Sequence, residues 1–171
     1  MALSHGGMRQ KAYNAYEETI HVPLVVANPL LFSGPVETAA FASVIDVMPT
    51  IAALAGVPAE KLVSLKGRDL TPIIRDAADN PAQPTAAVQD SILFTTDETL
   101  GSRDAPYIVK QPLHIRCLRE ARWKIVMYFD ATGPQAEEKR VYELYDLLVD
   151  SPALNHLAAS HPAQLAAMQA T

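Results

Sequence analysis

Val22, Pro23, Leu24, Val25 and Val26 form the run that most constrains this chain. A strand with one wet face alternates apolar and polar residues. This run has no polar alternation, so it is predicted to be a strand covered on both faces, as in parallel sheets of α/β proteins. Pro23 fits at the strand's start, where its missing N–H is least costly. Upstream lies a polar, glycine-containing loop, His5-Gly6-Gly7-Met8-Arg9-Gln10-Lys11, and then a short acidic turn, Tyr16-Glu17-Glu18. A functional loop running into a buried strand reads in this order.

With 49% hydrophobic and 19% charged residues, the chain of 171 residues is globular and is most simply one domain. Its net charge of -5 argues against nucleic acid or an anionic membrane as partner, since both need a basic face. No apolar run approaches the ~18 residues of a membrane span, and residues 1–11 lack the apolar core of a secretory signal. Cys117, the one cysteine, excludes an internal disulfide and leaves the compartment open between cytoplasm and periplasm. The chain opens at once on its loop of catalytic appearance. That start is expected of an internal methionine in a longer protein, or of a truncated one.

Further along, Val47, Met48, Ile51, Leu54 and Ala55 recur at helical spacing, with Asp46 as N-cap, Pro49 in the first turn, and Gly56 and Pro58 at the end. Thr71 and Pro72 open a short helix of Ile73, Ile74 and Arg75. Residues 76–89 read as a surface loop, residues 91–96 as a strand, and residues 97–111 as another loop, whose Asp97, Glu98 and Asp104 read as solvated carboxylates. Residues 113–117 and 123–129 form an antiparallel hairpin, residues 141–146 add a third strand, and residues 153–159 make a short helical turn. A last helix starts at Ser160 and turns Leu165 and Met168 inward.

The order of these segments resembles the sulfatases of the alkaline phosphatase superfamily. Lys11, Tyr16-Glu17-Glu18 and His21-Val22-Pro23-Leu24-Val25-Val26 are similar to the segment that follows the family's metal-binding Asp-His-Gly. Asp46-Val47-Met48-Pro49-Thr50-Ile51 and Gly67-Arg68-Asp69-Leu70-Thr71-Pro72 resemble the segments after it. Ile115-Arg116, Arg122-Trp123-Lys124-Ile125, Glu143-Leu144-Tyr145-Asp146-Leu147 and Asp150-Ser151-Pro152 resemble the C-terminal subdomain. The resemblance covers nearly the whole chain but only the C-terminal portion of a sulfatase. It implies an α/β fold: residues 1–90 as the C-terminal part of the main α/β domain, at the edge of its sheet, and residues 91–171 as a small antiparallel-sheet and helix subdomain.

It also implies a sulfuric ester hydrolase. The family's nucleophile is a formylglycine made in a Cys/Ser-x-Pro-x-Arg motif, and this chain has none. Cys117 is followed by Leu118-Arg119-Glu120 and reads as a packed, inert thiol. Calcium or another divalent metal is implied for the complete enzyme. The Asp-His-Gly segment would precede Met1, so this chain is expected to hold no metal or other cofactor by itself. His21, His114, His156 and His161 show no ligand spacing, and Gly6-Gly7 is no phosphate loop.

Taken alone, a loop lysine is a solvated charge. The resemblance makes Lys11 the candidate that contacts the sulfate and the nucleophile, His5 a candidate at the leaving oxygen, and Arg9 a further anion contact. Glu17 and Glu18 read as structural. The expected partner is a small sulfate ester in the complete enzyme. The missing N-terminal half or a second copy of the chain is expected on the apolar surface, and the chain alone is expected to be inactive. Two alternatives stay open: part of a phosphonate monoester or phosphodiester hydrolase of the same superfamily, and a non-catalytic interaction module.

Overall fold

The computed structural model describes residues 5, 14–97, 114–130 and 140–170. Helices α1 (Glu17–Ile20), α2 (Val47–Leu54) and α3 (Thr71–Asp79) precede strands β1 (Ser91–Thr96), β2 (His114–Glu120), β3 (Trp123–Phe129) and β4 (Val141–Asp146), and helix α4 (Pro162–Gln169) follows them. Among the described residues the fold is α/β in composition, with one four-stranded sheet in the order β1-β2-β3-β4. Two compact units can be separated, Met1–Val22 with Leu93–Thr171, and Pro23–Ile92.

In the first unit, β2 and β3 form the predicted antiparallel hairpin, with Leu118 opposite Ile125 and Arg119 opposite Lys124. β4 pairs antiparallel with β3, Tyr145 opposite Lys124 and Glu143 opposite Val126. Strand period two sorts the residues onto two faces. Ile115, Cys117, Val126 and Tyr145 pack with Ala15, Leu147 and Ala153 on one face, and Ile20, Phe94 and Tyr128 close around them. On the other, Ile125 and Leu144 pack with Met168 of α4, beside Leu165, Leu157 and Trp123. The sheet is thus covered by the segment around Ala15 on one side and by α4 on the other.

α4 turns Leu165 and Met168 inward as predicted, but its N-cap is His161. The Ser160 hydroxyl instead bonds the Leu157 carbonyl and His161 Nδ1. Residues 153–157 are not helical, and Ala153 has φ 59. At the end of β4, Arg122 donates to both carboxylate oxygens of Asp146, at 3.2 Å and 3.0 Å from Nε and at 2.7 Å from a terminal nitrogen, and Leu148 N–H adds a third donor.

In the second unit, Asp46 is the organising residue and is 1% exposed. α2 begins just after it, as predicted, yet its carboxylate does not cap that helix. It accepts from Ser43 N–H at 2.7 Å, Arg68 N–H at 2.7 Å and the Gln89 amide at 2.8 Å. The Asp46 carbonyl accepts from the Thr50 hydroxyl, whose oxygen accepts from Leu70 N–H at 2.9 Å. Gly67 is required here because a Cβ would lie 2.0 Å from the Ile45 carbonyl oxygen.

α3 runs to Asp79, taking in the first four residues of the predicted loop, because Ala77 is buried as Ile73 and Ile74 are. Asp76 then ties the following loop down through Thr85 and Ala86 N–H, which with Asn80 hold its carboxyl below the usual carboxylate range.

The predicted buried strand is corrected. Residues 22–26 lie in no regular element, and Val25 is 83% exposed, with Val22, Leu24 and Val26 exposed as well. A strand buried on both faces needs neighbours at its edges and layers above and below, and among the described residues none is supplied. The same holds for α2, where Val47, Met48, Ile51 and Leu54 are exposed and only Pro49 and Thr50 are buried.

Asp46→Ala leaves three donors without their acceptor. Urea unfolding is expected to show a loss of about 3 kcal/mol or more, from charge-assisted bonds worth ~1.5–3 kcal/mol each. A loss below about 1 kcal/mol would deny Asp46 its organising role.

Candidate functional site

Lys11 and Arg9 lie outside the described residues, while His5 lies within them. Its Nδ1 is 3.1 Å from Glu18 Oε2, its Nε2 is 3.0 Å from the Ala153 carbonyl oxygen, and its ring stacks on Tyr16 at 3.7 Å and 9°. Both partners are acceptors, so the two bonds are complete when both ring nitrogens carry hydrogen. The left-handed backbone at Ala153 is braced by its N–H bond to the Asp150 carbonyl at 2.9 Å. A histidine predicted from the loop and an alanine 148 residues away therefore meet.

What holds this segment is a buried charge. Lys124, on β3, is fully buried, and its Nζ donates to the Ala15 carbonyl at 3.2 Å and to Glu17 Oε1 at 3.0 Å. It also lies 5.1 Å from the Tyr145 ring centre, within cation–π range. Arg119 approaches the other Glu17 oxygen at 3.7 Å. Asn14 completes the arrangement, its Oδ1 accepting from the Thr19 hydroxyl at 2.6 Å and from Tyr16 N–H at 3.2 Å. Glu17 and Glu18 are structural, then, in a stronger sense than helix-start electrostatics: one answers Lys124 and the other orients His5.

Behind this layer, the Tyr128 hydroxyl donates to Glu143 Oε2 at 3.0 Å. Burial, and then Glu143, push the Tyr128, Tyr145 and Tyr16 hydroxyls above their usual range, so all three stay protonated. Burial pushes the Cys117 thiol up to about 12, and this packed thiol is no nucleophile.

Sequence reasoning missed Lys124, Asn14 and Ala153. A signal existed for the first: Lys124 is the only charge in Trp123–Phe129, and its parity puts it on the same face as Val126. Of the other histidines, His114 meets Asp97, His156 accepts from Leu144 N–H, and His161 meets Ser160. Among the described residues no group of three or more His, Cys, Asp or Glu could hold a metal ion, and none of their helices is long and apolar enough to cross a membrane.

Lys124→Ala removes one partner of a buried pair and leaves Glu17 only the more distant Arg119 guanidinium at 3.7 Å. Denaturant unfolding should show a loss of about 3–5 kcal/mol, and a loss under about 1 kcal/mol would contradict the role given to the pair. The Arg122 guanidinium holds the Asp146 carboxyl below the usual range. A carboxyl lowered in the folded state contributes stability above its unfolded pKa, and that contribution is lost as pH falls through the folded one. Stability should therefore fall below about pH 4, and Arg122→Met should flatten that slope. An unchanged acid slope in the variant would contradict this assignment.

No family model matches the chain. Among curated proteins it is similar to arylsulfatase K of Danio rerio, 28% identical over 147 residues, covering 86% of this chain and 24% of that protein. It is similar also to arylsulfatase K of Rattus norvegicus, 24% identical over 168 residues, covering 95% and 25%, and of Gallus gallus, 26% identical over 147 residues, covering 86% and 24%. Among solved structures, one described under the metabolism of multiple glycosaminoglycans by Bacteroides thetaiotaomicron is 19% identical, with a TM-score of 0.49 over 77% of this chain and 26% of that one. Another, a complex with the substrate D-glucosamine-2-N,6-O-disulfate, is 19% identical, with a TM-score of 0.47 over 78% and 24%. The chain spans about a quarter of the length of the curated relatives it matches. By this likeness the chain is a sulfatase-like C-terminal portion, arylsulfatase-like in sequence.

Proposed function

We propose that this chain is the C-terminal segment of a sulfuric ester hydrolase, contributing sulfate-contacting groups to a site whose nucleophile and metal come from elsewhere. The observation that carries the reading is the likeness to arylsulfatases over 86% of the chain. In this reading residues 1–90 belong to the main α/β domain and residues 91–171 form the small subdomain. The Lys11 ammonium stabilises charge developing on the sulfuryl oxygens. The Arg9 guanidinium offers paired N–H donors to a tetrahedral oxyanion.

His5 is assigned to the departing oxygen. To reach it, Nε2 exchanges the Ala153 carbonyl for the ester oxygen, while the Nδ1 bond to Glu18 and the stack on Tyr16 keep the ring oriented. A doubly protonated ring then delivers one proton from Nε2 as the S–O bond breaks. The Lys124–Glu17 pair fixes Glu17, six residues after Lys11 in the sequence, against the sheet.

Inorganic sulfate titrated into the 171-residue chain should bind with an affinity that Lys11→Ala lowers by about tenfold, the effect of losing one charge-assisted contact. Equal affinities would overturn the lysine assignment. The same chain is expected to release no sulfate from an aryl sulfate with or without calcium. Metal-dependent release would overturn the division of the site.

A further inference from the structure

β4 is the last strand in the sheet order, so one of its edges meets no strand among the described residues. An open edge of this kind needs cover. Leu144 turns both of its backbone groups to that edge: its N–H donates to His156 Nδ1 at 3.3 Å, and its carbonyl accepts from Leu157 N–H at 2.8 Å. Two consecutive residues of the segment after β4 thus close one residue of the strand, one through a ring and one through the main chain.

Leu157 carries this closure on to α4. Its carbonyl accepts from Ser160 N–H at 3.1 Å, His161 N–H at 2.9 Å and the Ser160 hydroxyl at 3.1 Å, which fixes the turn into the helix. Its side chain and Ala158 pack on Ile125, Leu144 and Met168, the cluster that seats α4 on the sheet. The seat of α4 therefore runs through residues 156–161, and its outer end is an imidazole.

That end can be switched. A ring nitrogen that accepts carries no hydrogen, so the neutral His156 ring bears its hydrogen on Nε2. A second proton must go to Nδ1, where it sets one N–H against another. The residue is exposed, and protons reach the ring from solvent. Among the described residues no carboxylate bonds the ring to answer that proton. Glu143 takes the Tyr128 hydroxyl, Asp146 is held by Arg122, and Asp150 accepts from Asn155. Lys124 of β3 turns to Glu17. Tyr142 packs in the α4 cluster, the Tyr145 ring lies 6.2 Å from the imidazole at 55°, and His161 meets Ser160. α4 itself has no charged residue.

We propose that His156 is an acid-released clasp between β4 and α4. Neutral, its ring seals Leu144; protonated, it lets go, and residues 156–161 loosen from the strand edge together with the start of the helix. The protonated ring favours the open form, so the clasp is complete above the ring's titration and is lost as pH falls through it. Histidines change charge between about pH 5 and 8. The clasp thus opens before the carboxylates titrate, near pH ~4.

The test is NMR of the 171-residue chain between about pH 7.5 and 5, reading ring nitrogens and amide exchange, with protection corrected for each amide's intrinsic rate. At the upper pH the His156 ring is expected to bear its hydrogen on Nε2. Across the range, protection of the Leu144 amide should fall about threefold to tenfold, the effect of one neutral hydrogen bond. His156→Asn, whose Oδ1 stands near the place of Nδ1 and does not titrate, should keep Leu144 protected at both ends of the range. His156→Ala should lose that protection at both. Melting curves check that each variant folds, and the wild-type signals stand as readouts needing no variant. A ring hydrogen on Nδ1 at the upper pH overturns the proposal, as does a Leu144 protection that pH leaves unchanged. An equal fall in the Asn variant would assign the effect to another group, and that too overturns it.

Discussion

An ammonium group removed from water has to be answered at close range, and the first unit is built around the answer given to Lys124. Glu17 and the Ala15 carbonyl meet its Nζ, and the Tyr145 ring closes one side. Burying such an ion without partners costs several kcal/mol. The sheet face carrying Lys124 is therefore incomplete unless the segment around Ala15 lies on it. His5, Glu18 and Tyr16 take their positions from this docking. In this respect the candidate site and the core are one construction.

The second unit solves the opposite problem with the opposite charge. Asp46 gathers backbone and side-chain donors from three separate stretches, and the close approach at Gly67 lets the chain pass near enough to reach it. Its apolar cluster of Leu70, Ile73 and Ile74 is small. Polar convergence does much of the work of shape there, while α2 presents its apolar positions outward.

Much of this architecture is legible in the sequence where a local period carries it. The hairpin follows from the alternation of Ile115 and Cys117 and from the aromatic, β-rich run after Arg122. α2 follows from its apolar spacing and its closing glycine. Long-range polar pairing has no local period. Nothing near Lys124 announces Glu17, and nothing near His5 announces the Ala153 carbonyl. The run at residues 22–26 failed for the converse reason: its composition states what environment a strand would need, and only neighbouring chain can supply that environment. At the candidate site, the family resemblance marked His5 as a candidate, but its partners come from the tertiary fold alone.

The pairing of Lys124 with Glu17 spans 107 positions, and this has a consequence during synthesis. A ribosome adding about 5–20 residues per second delivers the lysine roughly 5–20 s after the glutamate. Throughout that interval the nascent segment around Ala15 has no surface to dock on, while the stretch holding Asp46 and its donors can already close on itself. The discontinuous unit is thus the later of the two to complete. Residues 14–20 spend that time exposed, at the stage when a growing polypeptide is open to chaperones and proteases.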